Sequence, residues 1–227
     1  MATSHIVKAY DQELNLLARR INEMGGLVES QISTAIDALV RRDVELAQAV
    51  IDGDRRVNAL ELEIDEMAIR LLATRQPVAV DLRMITMALK ISNDLERMSD
   101  YAVNIARRCH VLAELPPVKP LYTIPRMAQI AQTMVKDVLD AYGQRDVAKG
   151  VAVWHRDDEV DEMYNSLFRE LLTYMLEDPR NISPCAHLLF VAKNLERIGD
   201  HATNIAEEIH YVVHGRRMEK PPRVIAP

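Results

Sequence analysis

The chain is poor in the residues that strands and tight turns draw on. Aromatic residues make up 4% of its 227 positions, and there are 7 glycines. Strands favour aromatic and β-branched side chains and turns favour glycine, so this scarcity argues against an all-β fold. Cysteine is rarer still. Cys109 and Cys185 lie far apart without metal-type spacing, which excludes a paired-cysteine zinc motif and a disulfide framework. They read as reduced thiols of an intracellular protein. No stretch approaches the roughly eighteen apolar residues of a membrane span. The opening "MATSHIVKAYDQEL" has neither the basic start nor the apolar run of a signal peptide. A soluble, cytoplasmic protein with no transmembrane segment is expected. Basic excess is also missing: Lys and Arg number 28 against 34 Asp and Glu, a net charge of −6, which argues against nucleic acid as the main partner. Neither a phosphate-cradling glycine loop nor a Ser/His/Asp order stands out.

Hydrophobic residues supply 48% of the chain, mostly Leu, Ala, Met, Val and Ile, and this favours long helices around a real core. Punctuation falls at few places. Pro116, Pro117, Pro120 and Pro125 interrupt "LPPVKPLYTIP", which reads as a linker, and "PPRVIAP" ends the chain as a loose tail. On either side the chain repeats itself. "LERMSDYAVNIA" at 95–106 returns as "LERIGDHATNIA" at 195–206, identical at eight of twelve positions. Arg42-Asp43-Val44 likewise returns as Arg145-Asp146-Val147, and Met24 as Met127. Three helices per half are predicted, at about 5–40, 44–74 and 79–113, then 124–142, 146–177 and 184–214, from hydrophobic spacing and end signals. Asp43 and Asp146 are candidate caps, Ser183-Pro184 a start signal, and Gly215 a stop. Leu82, Ile85, Leu89, Ser92, Leu95, Met98, Ala102 and Ile105 step by three or four along an amphipathic stripe. The expectation is an all-α fold of two tandem, sequence-related three-helix bundles. The first covers residues 1–115 and the second 124–215, with a proline-rich linker at 116–123 and a tail at 216–227.

On a helix turning about 100° per residue, Glu96, Asp100 and Asn104 share one polar flank of the repeated motif, and Glu196, Asp200 and Asn204 do the same. Carboxylates four residues apart repel, so the arrangement needs a compensating charge. Two readings stand. Arg97 and Arg197 neutralise Asp100 and Asp200 on a solvated face, or a hard cation takes oxygen ligands there. Counting outward from a turn centred near residue 180 places Asp200 opposite Asp161 and Asn204 opposite Asp157. That would bring two acidic pairs to one height, which is costly without a cation. In the first half Asp54 and Asn58 replace Asp157 and Asp161, and Glu61 with Asp65 lies nearer the turn, so a weaker site is expected. Glu207 and His210 form one Glu-x-x-His. A ferritin-like di-iron centre needs two such motifs and two further glutamates, and the counterpart of Glu207 is Arg107. His110 and His210 read as helix-end residues, and "HGRRMEKPPR" as a solvated basic segment.

The tandem Leu-Glu-Arg-x-x-Asp-x-Ala-x-Asn-Ile-Ala motifs, with "QPVAVDLR" (76–83) ahead of the first, resemble the PhoU family of bacterial phosphate-transport accessory and regulatory proteins. The resemblance runs from "YDQELNLLARRINEMG" (10–25) to about His214. It implies two similar three-helix bundles, frequently a homodimer, and no established catalytic activity. The implied role is negative regulation of the phosphate-starvation response and of phosphate uptake. The implied partners are the phosphate ABC transporter, through its ATPase subunit PstB, and the sensor histidine kinase PhoR. Some members bind multinuclear iron or zinc clusters through Glu/Asp-x-x-x-Asp pairs. Carried over by position, these are Glu96 with Asp100, Glu196 with Asp200, and Asp157 with Asp161, as ligands of iron, zinc or manganese. Asn58 departs from that pattern in the first half. A metalloenzyme built on the same acids, a metal store and a metal-free helical scaffold are the alternatives to a regulator.

Overall fold

The computed structural model describes residues 2–118 and 123–218, with side chains from residue 9 onward. Its long helices are α1 (Ala2–Arg41), α2 (Val44–Arg75), α3 (Ala79–Glu114), α4 (Thr123–Gln144), α5 (Val147–Glu177) and α6 (Ile182–His214). A single 3-10 turn, Pro179–Asn181, leads straight into α6, and among the described residues there is no strand. Within the expected linker, residues 119–122 lie outside the described residues, as do residues 219–227 of the expected tail.

The repeated Arg-Asp-Val is a helix-to-helix turn. Arg42 and Arg145 adopt left-handed backbone, with φ of 56° and 54°. The aspartate that follows caps the next helix: Leu46 N–H donates to Asp43 Oδ1 at 2.9 Å, and Lys149 N–H to Asp146 Oδ1 at 3.0 Å. Gly215 closes α6 at φ 70°, its N–H donating to Tyr211 O at 2.8 Å, as its place in the sequence suggested. The start of α6 differs from expectation. The helix begins at Ile182 with Asn181 at the cap position, so Ser183 is not the cap and Pro184 sits in the first turn. Pro125 is likewise accommodated in the first turn of α4, where its missing N–H costs nothing.

Helices α1–α3 pack on one another, as do α4–α6, and the two sets meet through α3 against α6 and α1 against α4. One continuous hydrophobic core runs through both. The apolar letters of the repeated motif account for much of it. Leu95, Met98, Ala102 and Ile105 are fully buried, and so are Leu195, Ile198, Ala202 and Ile205. Burying such an aliphatic side chain completely stabilises by about 1.5–3 kcal/mol.

Helices α3 and α6 cross antiparallel at the centres of their motifs, and the crossing obeys a two-fold relation. Lys90 pairs with Glu208 at 2.9 Å. Exchanging each residue for its repeat counterpart gives Phe190 and Arg108, and the Arg108 guanidinium lies 4.6 Å over the Phe190 ring. Tyr101 and His201, counterparts of each other, meet with the hydroxyl 3.4 Å from Nε2. A contact between equivalent positions lies on the axis itself. The halves are unequal in one respect: α1 has 40 residues and α4 has 22. The surplus extends α1 at its N-terminal end, past the point where its counterpart begins.

Candidate functional site: the acidic flanks

Both motifs turn their glutamate toward the helix hairpin, whereas the Asp100 side chain stays 41% exposed. The Glu96 side chain is 18% exposed and that of Glu196 13%, whereas Arg97 between Glu96 and Asp100 is half exposed. The flanks are therefore partly desolvated, which a purely wet charge cluster is not.

In the first half, Arg97 lies 3.7 Å from Glu96 and 3.5 Å from Asp100, the neutralising arrangement expected of it. It does not compensate fully. Burial, and then the charges of Asp100 and Glu61, push the Glu96 carboxyl above its ordinary range. Burial followed by Asp65 does the same to Glu61, against a hydrogen bond from Asn93. The acid that faces Glu96 from α2 is thus Glu61, whereas Asn58 turns aside and donates to Asp54 Oδ2 at 3.1 Å. Asp54 in turn lies 2.7 Å from the Ser99 hydroxyl, which is also 2.7 Å from Gln31 Oε1. One hydroxyl has one proton, so it serves one of these acceptors at a time.

In the second half, Asp157 is 4% exposed and lies against Gly199, not Asn204. A Cβ at position 199 would come 3.0 Å from Asp157 Oδ1, so the carboxylate fits where the backbone is bare. The register sits five residues from the sequence count, with a 3-10 turn in the connection and α6 starting early. Asn204 reaches the other half instead, where Asp94 accepts from its amide at 3.3 Å. Glu196 pairs with Lys193 at 2.5 Å, and Lys193 Nζ also lies 5.2 Å over the Tyr164 ring. Asp161 and Asp200 are partly buried on the same hairpin. Among the described residues, no three acidic, histidine or cysteine side chains are arranged to hold an ion as they stand.

One acidic feature escaped the sequence reading. Glu61 and Asp65 of α2, Asp94 of α3, and Glu207 and Glu208 of α6 line a groove of about 640 Å³ that draws on both halves. Asp94 holds His201 there, Nδ1 to Oδ1 at 2.7 Å. Neither Asp94 nor Glu208 recurs as an acid or pairs by spacing, so only the antiparallel crossing of α3 and α6 assembles this surface.

The fold and its flanks define a duplicated, all-helical protein with acids repeated on each half. The PhoU domain matches it twice, at residues 21–109 and 124–209. The chain belongs to the PhoU family. It is 54% identical over 217 residues to the phosphate-specific transport system accessory protein PhoU homolog of Caulobacter vibrioides (strain NA1000 / CB15N), an alignment covering 95% of this chain and 94% of that one. The crystal structure of PhoU from Pseudomonas aeruginosa superposes with a TM-score of 0.89 at 41% identity, over 91% of this chain and 100% of that one. The phosphate transport system regulatory protein PhoU from Streptococcus pneumoniae superposes with a TM-score of 0.86 at 27% identity, over 93% and 100%. No helix among the described residues is long and apolar enough to cross a membrane.

Proposed function

We propose that the chain is an accessory and regulatory protein of a phosphate-specific transport system. It acts as a negative regulator of the phosphate-starvation response and of phosphate uptake. The observation that carries this reading is the pair of PhoU domains spanning nearly the whole chain, joined to relatives named for that role. In this reading the protein works in the cytoplasm as a homodimer and couples the transporter, through PstB, to the kinase PhoR by binding rather than by catalysis. Deleting it switches phosphate-starvation genes on in phosphate-rich medium, and a pull-down recovers the transporter ATPase and the kinase. Normal repression in the deletion strain would overturn the reading.

The acidic flanks are proposed ligands for iron, zinc or manganese: Glu96 and Asp100 in one half, and Asp157, Asp161, Glu196 and Asp200 in the other. Carboxylate oxygens suit manganese and iron, and zinc accepts them. The support is energetic. Carboxyls pushed up by burial and then by neighbouring carboxylates, Asp65 at Glu61 and Asp100 with Glu61 at Glu96, gain from a cation. Arg97 favours the metal-free reading for the first flank, since it already lies between Glu96 and Asp100. The double variant Glu196→Gln with Asp200→Asn separates the two readings. If a cation is held, bound metal and melting temperature both fall. Unchanged metal with equal or higher stability ends the metal proposal.

A further inference from the structure

A second pocket lies where the two halves meet at the N-terminal part of α1. It holds about 150 Å³ and is partly enclosed, between α1, α3, α4 and α6. That is roughly five times the share of liquid volume taken by one water, and well below the size of a drug pocket. Its walls divide by chemistry. Ala18, Ile209 and Val212 give it an apolar side, whereas Asn15, Asn22, Tyr142 and Arg145 bring donors.

The two halves employ the turn arginine beside this pocket differently. In the first half the residues equivalent to Ile209, Val212 and Arg145 are Cys109, Leu112 and Arg42. Both pairs are buried, Cys109 and Leu112 as well as Ile209 and Val212, but in the first half the Arg42 guanidinium donates to Leu115 O at 2.9 Å, closing the end of α3. In the second half Gly215 ends α6 instead, and Arg145 is released from that task. Its Nη2 lies 3.3 Å from the Met84 thioether, a weak acceptor for a guanidinium. Nearby, burial pushes the Tyr142 phenol up to about 12, so its hydroxyl keeps its proton and can donate throughout the neutral range.

We propose that this pocket binds a small organic anion, with its oxyanion head at Arg145 and Tyr142 and a short apolar group against Ala18, Ile209 and Val212. One guanidinium and a phenol supply the donors for the head. The apolar wall disfavours a bare inorganic ion, which would leave its far oxygens unpaired against hydrocarbon. Because the walls of the site come from both halves, its occupant ties them together. It stands apart from the acidic flanks and does not depend on the transport role.

Calorimetric titration of the full-length protein with butyrate, ethyl phosphate and inorganic phosphate tests the proposal. Butyrate or ethyl phosphate should bind at one per chain, and which of the two binds better identifies the head as carboxylate or phosphoryl. Inorganic phosphate should bind at least about tenfold more weakly. Arg145→Gly removes the guanidinium at a position whose left-handed backbone glycine tolerates. It should weaken binding at least about tenfold, as expected for a lost charge-assisted hydrogen bond, while the helical circular dichroism is unchanged. Tyr142→Phe should weaken it by a smaller factor. Failure of both organic probes to bind at millimolar concentration would overturn the proposal. So would inorganic phosphate binding as tightly as they do, or affinity that survives Arg145→Gly.

Discussion

Where the first half places Ser99, with its hydroxyl between Asp54 and Gln31, the second half places Gly199, and Asp157 and Met134 close in on bare backbone. These are equivalent positions of one repeated motif, flanked in both cases by the same buried leucine and alanine. The contrast separates two layers of information in the motif. Its shared letters build the core, and its variable letters decide how a carboxylate from the facing helix is accommodated. A hydroxyl donor serves in one half and the space freed by a missing Cβ in the other. A similar contrast holds at the flank. Glu61 faces Glu96 in the first half, whereas its counterpart is Tyr164, beside Lys193, in the second.

The largest test of this division concerns the shared letters. Leu95→Ala and Leu195→Ala each remove a side chain with no exposure, and each should cost about 2–5 kcal/mol. Because the core is continuous, both variants should still unfold in one transition. Urea midpoints that differ widely, or two separated transitions, would break the equivalence of the halves. Next comes the variable letter. Ser99→Ala strips the donor from Asp54 and Gln31 and should destabilise by about 1–3 kcal/mol. A neutral result in thermal denaturation would mean that the hydroxyl contributes nothing there.

Smaller and equal effects are expected at the turns. Asp43→Ala and Asp146→Ala each lose one capping bond of nearly the same length, worth about 1 kcal/mol apiece. The smallest effect has the opposite sign. A carboxyl whose folded pKa is raised weakens the folded state once ionised, and the penalty lifts as pH falls through that raised value. In metal-free protein, Glu61→Gln should therefore stabilise at neutral pH, by about 0.2–0.5 kcal/mol for one relieved like-charge contact. The gain should shrink as the pH falls through that raised value toward the ordinary carboxylate range. Urea midpoints at pH 7 and pH 4 measure it, and a loss of stability at pH 7 in the metal-free protein would overturn it.

Much of this architecture was legible in the sequence because its determinants are local. The capping aspartates follow left-handed arginines within a few residues, and the core stripe of α3 follows from spacing along one helix. What could not be read depended on tertiary placement. The early start of α6 follows a 3-10 turn with no composition cue beyond Pro179, and Asp157 meets Gly199 rather than Asn204. Glu61 as the acid facing Glu96, with Asn58 turned to Asp54, required the hairpin's true register. The groove holding Asp94, Glu207 and Glu208 required the crossing of α3 and α6, which no single segment encodes.

That crossing has a further consequence. An isologous contact, with Tyr101 against His201 on its axis, is the way two identical subunits of a two-fold dimer meet. Here both copies are on one polypeptide. In a dimer of identical chains every substitution is made on both sides at once, so a lysine placed opposite a glutamate must appear twice. Joining the copies end to end lifts that constraint. Lys90–Glu208 and its mate Phe190–Arg108 use that freedom: equivalent positions make an ion pair on one side and set a cation over an aromatic face on the other.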